Sequence, residues 1–526
     1  MDAMGGTSIA TVKMPSTVTS LPTKCFDGCT SLTTVSFPGI KKIGSYAFQN
    51  CSALTGITIP EGATVGECAF QNCTGLTGEL TIPKGTYDNR TFNGCNNVTA
   101  LVIYTGSKIS NPWSNYGCFG SMSSVTKVTL IDDGDHTIPA HFFGNASFST
   151  DGVDLTIPST ITAIGDGAFY NANFPKTLKL SQFTSFGTFA FADNKSLANK
   201  DVTFAENTKF TGEQTFLNCK ALSGTLTIPN GANIVYKAFD GCSGITSIVL
   251  HSGMTSGQWG NNGCFMSMSG VKSVSIKDDG NHTIPANVFG GASFSKDGVT
   301  LDIDKNITGI GDHAFYNANF PTTLDLSSQF TSYGISAFED NKVFKGNENG
   351  VIAVKTPSGA SGVTVGSKAF WNTQATEIDI DPNMVYSGCA PTDAYYSNGA
   401  GPYNGTSITK IVFESSITSI PDYLFLHASG IPSTCTVTWP TKPITHIGKG
   451  AFCGVQFTAA IPKKMSGDGT IGEYAYARNG MSGEITIPTG CTRIGDNAFR
   501  YCGNITSVSV PNTTTYIGTS AFWMCI

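Results

Sequence analysis

The stretch Ile43-Gly44-Ser45-Tyr46-Ala47-Phe48-Gln49-Asn50-Cys51 decides the fold, because versions of it return along the whole chain. Its Ala-Phe pair recurs twenty-two residues later as Ala69-Phe70 and, after the same interval, as Thr91-Phe92. A period of this length is typical of proteins built from stacked structural repeats. The sequence therefore predicts a solenoid, α/β or mostly β, in which each repeat depends on its neighbours.

Each repeat combines an extended segment with a bend. The segment Leu54-Thr55-Gly56-Ile57-Thr58-Ile59-Pro60 has isoleucines at alternate positions near its end, which indicates a short strand with one buried face. Proline ends the strand because it has no amide hydrogen to donate. In the Ile-Gly-x-x-Ala-Phe-x-x-Cys segment that follows, we expect the Ile, Phe and Cys side chains on one side of a helical turn. Both segments therefore direct apolar residues inward.

One aromatic residue per repeat is predicted to anchor the core. A repeat of about 23 residues is too small to bury its apolar face alone, so the next turn of the solenoid must cover it. The spacing predicts about 21 turns of 22–27 residues, with Phe48, Phe70 and Phe92 stacked on one another. The predicted anchors are Phe26, Phe48, Phe70, Phe92, Phe119, Phe143, Phe169, Phe191, Phe216, Phe239, Phe265, Phe289, Phe315, Phe338, Phe370, Tyr403, Phe425, Phe452, Tyr476, Phe499 and Phe522.

The chain is predicted to be one solenoid over residues 1–526 with internal duplications. Its predicted parts are regular turns in 1–92, a six-turn block in 92–238, a duplicated block in 239–369 and a diverged third block in 370–526. The duplication is clear where Asp132-Asp133-Gly134-Asp135-His136 returns as Asp278-Asp279-Gly280-Asn281-His282. We interpret the irregular passage from Lys342 to Val365 as a turn with a long loop, in preference to a domain linker.

Composition excludes several classes of partner. Charged residues are 13% of the chain and the net charge is −6, so nucleic acid and anionic membranes are not expected to bind. No apolar run approaches the ~20 residues of a membrane span, and the first residues resemble no signal peptide. A surface rich in Thr, Ser, Asn and Gly favours an extracellular or cell-surface location, with any export signal or anchor outside this chain.

The sixteen cysteines fall into two groups. Half of them lie three residues after an anchor, where they should form an inward ladder of small apolar side chains. Parallel side chains on neighbouring turns are poorly placed for disulfides, so free buried thiols are expected. The ladder cysteines are Cys29, Cys51, Cys73, Cys95, Cys219, Cys242, Cys502 and Cys525. The better candidates for local bridges are Cys25, Cys68, Cys118, Cys264, Cys389, Cys435, Cys453 and Cys491.

The repeat resembles that of the BspA-like leucine-rich-repeat surface proteins. A good copy runs from Thr486-Ile487-Pro488 through Ile494-Gly495-Asp496-Asn497-Ala498-Phe499-Arg500-Tyr501-Cys502, and the resemblance covers essentially the whole chain. It implies a right-handed leucine-rich-repeat superhelix, gently curved. It also implies a secreted or surface-attached protein that adheres to host matrix proteins or other cells. The family's function is not carried by a residue motif, so no single residue inherits a role.

Catalytic and metal-binding patterns are weak. The sequence has no nucleophile elbow, phosphate-binding loop, Cys-x-x-Cys pair or His-Glu-x-x-His helix, and no catalytic residue or cofactor is predicted. His136 lies beside Asp132 and Asp133, and His282 lies beside a matching pair, which suits either a cation site or an ordinary turn. We favour the turn, because aspartate bonds to nearby backbone and glycine supplies positive φ. No metal site is predicted.

The strongest binding candidates are aromatic residues in loops that the repeat does not require. They are Trp113, Tyr116, Trp259, Tyr395 and Tyr396, which occur just before three of the anchors. Their recurrence at the block period predicts that they emerge on one side, roughly 30 Å apart. Exposed Trp and Tyr suit sugar faces and protein hot spots. The alternative is that each ring folds back and covers its own loop.

These observations favour a non-catalytic extracellular scaffold that binds a protein or a glycan, with several weak sites acting together. Neither end of the sequence shows a capping repeat, which motivates an alternative. In that alternative the chain is a structural filament or coat subunit that associates head to tail through its solenoid ends.

Overall fold

The computed structural model describes residues 8–110, 117–257, 262–392, 398–457 and 461–525. Contacts divide the chain into two compact units, residues 1–250 with 267–271 and residues 251–266 with 272–526. Each unit is a parallel β-solenoid, and the chain makes about 20 turns in total. The predicted solenoid fold is confirmed, and of its two forms the mostly β one is correct. The predicted block boundaries stay a prediction.

In each unit the strands form two rows, one contributed by the segment before the proline and one by the segment before the glycine. The first row of unit 1 contains Thr11–Lys13, Thr34–Ser36, Gly78–Ile82, Val98–Tyr104, Lys127–Ile131, Asp154–Thr156, Lys200–Thr203, Ser223–Ile228 and Ile245–His251. Its second row contains Ser20–Leu21, Lys42–Ile43, Thr64–Val65, Thr86–Tyr87, Lys108–Ile109, Thr137–Ile138, Ala163–Ile164, Ser185–Phe186, Lys209–Phe210 and Asn233–Ile234. A 3-10 helix spans Leu180–Gln182.

Unit 2 repeats this arrangement. Its first row contains Ser273–Lys277, Thr300–Ile303, Val351–Ala353, Glu377–Ile380, Lys410–Phe413, Thr436–Thr438, Ser482–Thr486 and Asn504–Ser509. Its second row contains Thr255–Ser256, Thr283–Ile284, Gly309–Ile310, Ser332–Tyr333, Val363–Gly366, Met384–Ser387, Ser419–Ile420, Ile444–Ile447, Lys464–Ile471, Thr489–Ile494 and Tyr516–Ile517. Two further strands, Phe370–Trp371 and Tyr403–Asn404, pair at the anchors themselves.

The register of the strands puts like residues on like. In the first row Leu80 pairs with Leu101, which in turn pairs with Val128, and all three side chains are buried. In the second row Ile43 pairs with Val65. Because side chains alternate across a strand, this register keeps one apolar face inside on every turn.

The segment around each anchor forms hydrogen-bonded turns, and the prediction of a helical turn there is wrong. Tyr46 and Asn50, two residues before and after Phe48, have φ of 60°. A left-handed residue at each side prevents a helix from continuing. The turn instead bonds outward to its neighbour: the Phe48 amide donates to the Ala69 carbonyl over 2.8 Å.

The anchors form the predicted ladder. All of them are buried except Phe522, which is partly buried. Consecutive ring centroids lie 5.2 Å apart between Phe48 and Phe70 and 5.6 Å apart between Phe70 and Phe92, in both cases with planes 3° from parallel. The two tyrosines predicted as anchors are confirmed, since Tyr403 stacks on Phe370 and Tyr476 stacks on Phe452.

All sixteen cysteines are free thiols, which confirms the prediction for the ladder and makes the expectation of local bridges wrong. From Cys51 onward, each ladder thiol donates to the carbonyl oxygen of the anchor one turn earlier, as Cys51 does to Phe26, Cys73 to Phe48 and Cys95 to Phe70, over 3.0–3.2 Å. The other cysteines, such as Cys118 and Cys264 one residue before an anchor, occupy small core positions. No disulfide joins these eight cysteines to one another or to the ladder.

The passage from Lys342 to Val365 is one turn with a long loop, as predicted. It contains the first-row strand Val351–Ala353 and runs into the second-row strand Val363–Gly366. The anchors on either side, Phe338 and Phe370, still stack with centroids 5.6 Å apart.

Candidate binding site

The predicted ligand-binding residues Trp113, Tyr116, Trp259, Tyr395 and Tyr396 all lie outside the described residues. The described part of the chain contains the turns that carry them. These three loop-bearing turns have the anchors Phe119, Phe265 and Tyr403.

Each loop-bearing turn has an equivalent glycine two residues before its anchor. The amides of Gly117 and Gly263 donate to the carbonyls of Gly144 and Gly290, both over 2.8 Å. The amide of Gly401 donates to the Leu426 carbonyl over 2.9 Å. A Cβ atom on any of the three glycines would collide with carbonyl oxygens of the next turn. The three loop-bearing turns therefore share the same backbone contact with the next turn.

The anchor ladder tilts just after each of these loops. Phe119 and Phe143 have ring planes 33° apart, Phe265 and Phe289 are 38° apart, and Tyr403 and Phe425 are 44° apart. The corresponding centroid distances are 5.9, 6.1 and 6.0 Å, at the long end of the ladder. The loop-bearing turns thus depart from the regular stack in the same way.

The residue before the anchor explains the tilt. Most turns carry alanine at that position, as in Ala47-Phe48, but the turns after the loops carry Phe142, Val288 and Leu424. The Phe142 ring lies edge-on to Phe119 at 5.5 Å and to Phe143 at 6.2 Å. A large side chain at this position fills the space left where the anchor rings lie farther apart.

Two equivalent grooves lie on the second-row surface, at the bases of the first two loops. The groove in unit 1 has a volume of about 490 Å³, and the groove in unit 2 has a volume of about 520 Å³. Ile109 of the first groove and Ser256 of the second each lie two residues before a loop segment outside the described residues. The two grooves are related by the block offset of 146 residues, as for Ala140 and Ala286.

The grooves share their floor and differ in charge. Pro139, Ala140 and Asp166 of the first groove correspond to Pro285, Ala286 and Asp312 of the second. The rims differ: Lys108 and Asp135 line the first groove, whereas Met254 and Asn281 line the second.

The shared aspartates have a structural role as well. The Oδ1 atom of Asp166 accepts the Thr188 amide, and that of Asp312 accepts the Ile335 amide, both over 2.7 Å. One oxygen of each carboxylate is thereby held by the next turn.

Each groove also has a buried polar atom without a partner close to it. Nδ1 of His141 and Oδ1 of Asn287, at equivalent positions, have no hydrogen-bond partner among the described residues. Burial lowers the pKa of His141, which favours the neutral imidazole. The two blocks compensate in size at these positions. In the first block a side chain at Gly167 would collide with the His141 ring. In the second block the smaller Asn287 replaces His141, and His313 replaces the glycine.

The Asp-Asp-Gly segments are turns, as predicted. Oδ1 of Asp132 accepts the amides of Gly134 and His136 over 3.1 and 3.2 Å, and its Oδ2 lies 2.6 Å from Nδ1 of His136. Asp278 makes the same contacts to Gly280 and His282. In the described parts of the chain, no group of three His, Cys, Asp or Glu side chains is placed to hold a metal ion. Nor does any helix there have the length and hydropathy to cross a bilayer.

Sequence reasoning missed a charge asymmetry at the end of the chain. Residues 440–526 contain seven basic and four acidic residues, a net charge of +3 in a chain whose total is −6. Three of the four arginines of the protein, Arg478, Arg493 and Arg500, lie in this segment. Counting charge by segment would have revealed this positive region, which the total conceals.

Comparison with known proteins identifies the repeat. The family model described as BspA type Leucine rich repeat region (6 copies) matches residues 2–120, 114–246, 260–388 and 399–526. A search of curated proteins found no match.

Three solved structures are similar to the chain. A leucine rich cell surface protein from Faecalibacterium prausnitzii is 17% identical, with 82% of this chain and 88% of that chain covered and a TM-score of 0.28. A leucine-rich repeat protein from Eubacterium ventriosum is 17% identical, with 85% and 91% covered and a TM-score of 0.32. One from Bacteroides ovatus is 15% identical, with 98% and 85% covered and a TM-score of 0.24. On the family match, which spans nearly the whole sequence, this chain belongs to the BspA-type leucine-rich-repeat family.

Proposed function

We propose that this protein is a non-catalytic scaffold, located outside the cell or on its surface, that binds an extracellular protein or glycan. The binding positions are the three loop-bearing turns, with Trp113, Tyr116, Trp259, Tyr395 and Tyr396 as the contacting aromatic residues. The observation that carries this proposal is the pair of equivalent grooves, which lie at the bases of two of these loops in two separate units.

The chemistry of the grooves favours a polar ligand with hydrogen-bond donors. Hydroxyl groups of Thr105, Ser107 and Thr137 line the first groove beside the carboxylate of Asp166. Among the described residues, both blocks keep a buried polar atom without a partner beside the groove, at His141 and Asn287, and leaving such an atom unpaired costs about 1–3 kcal/mol. A bound polar group would recover this cost, which is a reason for the arrangement to persist in both copies.

Repetition would make weak sites effective together. When one site is occupied, the others meet a ligand array at high effective concentration, and total avidity exceeds that of a single site by a factor of about 10²–10⁴. A scaffold of this kind needs a rigid body that spaces its sites, and stacked turns within each unit provide one.

The loops are tested with a variant that combines Trp113→Ala, Trp259→Ala and Tyr395→Ala. Binding to an array of extracellular-matrix proteins and host glycans should be abolished, while the melting temperature stays the same. The matched control replaces Tyr46, Tyr170 and Tyr236 by alanine, since these rings lie on turns without a loop. Unchanged binding of the loop variant would remove the loops from the proposal.

The grooves are tested by filling them. Ala140 and Ala286 are exposed, so the double variant Ala140→Trp, Ala286→Trp should place two rings in the grooves without disturbing the core. We expect binding to be lost. Ala198→Trp, at an exposed alanine away from the loops, is the control and should bind normally.

The alternative function is a filament or coat subunit whose solenoid ends associate head to tail. Analytical ultracentrifugation over a wide concentration range tests this alternative, which requires that large particles form as concentration rises.

A further inference from the structure

The turns of the last three repeats carry a group of arginine and aromatic side chains on one surface of unit 2. We name Tyr474, Arg478, Arg500, Tyr501 and Trp523 the arginine–aromatic face. The Arg500 guanidinium lies 4.5 Å from the centroid of the Trp523 ring and 5.0 Å from that of Tyr501. The Arg478 guanidinium lies 5.8 Å from the Tyr501 ring. Stacking of this kind holds a guanidinium in a defined orientation.

Further contacts fix Arg500. Its Nη1 donates to the Tyr474 hydroxyl and to Oδ1 of Asn497, both over 3.3 Å. Tyr501 and Trp523 contact each other edge to face at 5.1 Å. Tyr501 is 39% exposed and Trp523 is 45% exposed, so the face is ordered and still open to solvent.

The five residues of the face include no carboxylate, although Glu473 and Asp496 directly precede two of its three turns. The turns Tyr474–Arg478, Asn497–Tyr501 and Ser520–Met524 read YAYAR, NAFRY and SAFWM, without a carboxylate in any of them. They lie within the segment 440–526, which has a net charge of +3. The surface therefore combines positive charge with exposed rings, in a protein that is acidic overall.

The backbone conformation of Arg478 and Tyr501 indicates that folding alone does not account for these two residues. Arg478 and Tyr501 occupy the position two residues after the anchor, where φ is positive, at 54° and 62°. Most other turns have Asn, Asp, Gly or Ser there, as in Asn50, Asn72 and Asn171, and His427 and Met524 are the other exceptions. Asparagine adopts this conformation readily and also bonds to the neighbouring turn, as Asn72 does to Asn50 over 3.0 Å. Long side chains adopt this conformation less readily.

We propose that the arginine–aromatic face binds a carboxylate-bearing segment of a partner protein. Arginine is the side chain best suited to bidentate recognition of carboxylates, because its guanidinium presents N–H groups in a rigid planar fork. Arg, Tyr and Trp are also the residues most enriched in the energetic centres of protein interfaces.

The geometry favours a protein over an acidic glycan. A sugar would need an open aromatic face on which to lie, but here guanidinium groups lie over the rings of Tyr501 and Trp523. This surface is separate from the loop-bearing turns, and the proposal does not depend on the function proposed for those turns.

The test measures binding of the full chain to an immobilised oligoglutamate peptide, with oligoglutamine as the reference, by biolayer interferometry. The double variant Arg478→Gln, Arg500→Gln should weaken affinity roughly tenfold or more, as expected for residues at an energetic centre. The control Lys449→Gln, Lys463→Gln removes the same charge from the same segment and should change affinity by about twofold or less. A second control, Arg90→Gln, alters the one arginine outside the segment and should have no effect.

A further variant guards against misfolding. Arg478→Lys, Arg500→Lys keeps the charge and the length of the side chains, and its melting temperature should match the unmodified chain. It should still lose affinity, because lysine lacks the planar fork.

Three results would overturn the proposal. The first is that the unmodified chain does not bind oligoglutamate. The second is that the Arg478→Gln, Arg500→Gln variant and the Lys449→Gln, Lys463→Gln control lose affinity equally. The third is tighter, arginine-dependent binding of chondroitin sulfate. The last result would assign the face to an acidic glycan.

Discussion

The ring of Tyr403 is tilted by 44° against the ring of Phe425, whereas it stacks within 7° of parallel on Phe370. The break in the ladder lies on the side of Tyr403 where Leu424 replaces the usual alanine. Phe119 and Phe265 show the same change on the corresponding side. Each loop-bearing turn is therefore where the regular stack is altered, which links the binding positions proposed here to the packing of the core beneath them.

The regular part of the ladder should be costly to interrupt. Phe70→Ala removes a fully buried ring that stacks on both neighbours, so we expect the free energy of unfolding to fall by about 3–5 kcal/mol. Phe522→Ala is the control, because that ring is partly buried and stacks on Phe499. Denaturant unfolding followed by circular dichroism measures both. Equal losses for the two variants would contradict the idea that mutual cover of adjacent turns stabilises the fold.

Spacing alone predicts most of the fold. It identified Tyr403 and Tyr476 as anchors although neither is a phenylalanine, because hydrophobic periodicity reports which positions must be buried. It did not predict the backbone between anchors. Whether Tyr46 adopts a helical or a left-handed conformation depends on the hydrogen bond that its amide donates to Glu67 of the next turn. A contact between turns leaves no local signature in one repeat.

The candidate site is harder to predict. Ala140 and Gly165 line the same groove although they lie on different turns, and neither residue type suggests binding. Gly117 is one of 60 glycines, most of which lie at other bends, so its contact with the next turn cannot be recognised from the sequence. Conversely, Trp113 and Trp259 are conspicuous in the sequence, and their role in binding stays a prediction.

The equivalent glycines of the loop-bearing turns should not tolerate a side chain. In Gly117→Ala and Gly263→Ala the new Cβ would press against carbonyl oxygens of the next turn, and relieving this contact should cost about 1–3 kcal/mol. Gly56→Ala is the control, because nothing lies within 4 Å of its added Cβ. Thermal melts compare the three variants. A melting temperature unchanged in Gly117→Ala would show that this contact with the next turn does not stabilise the fold.

The cysteines should be present as unreactive thiols. Burial raises the pKa of Cys51 and Cys95 to about 12, so neither forms a thiolate at pH 8. Titration with Ellman's reagent should find almost no reactive thiol in the native protein, with partly buried Cys525 the first to react. After denaturation without reductant, all sixteen should react. A smaller number in the denatured protein would mean that disulfides had formed.

The Asp132 turn should stabilise the protein in a pH-dependent way. A hydrogen bond from Thr160, with others from His136 and Gly134, lowers the pKa of the Asp132 carboxyl below its ordinary value. A carboxyl with a lowered folded-state pKa contributes stability above its unfolded pKa of about 4, and this contribution is lost as pH falls through the folded value. Asp132→Asn should therefore lower the melting temperature at pH 7, and the difference from the unmodified chain should shrink below about pH 4. Asp135→Asn is the matched control, since it installs the residue that the second block carries as Asn281, and it should have little effect at either pH. A deficit in Asp132→Asn that stayed constant down to pH 2 would show that the shape of the side chain, and not its charge, holds the turn.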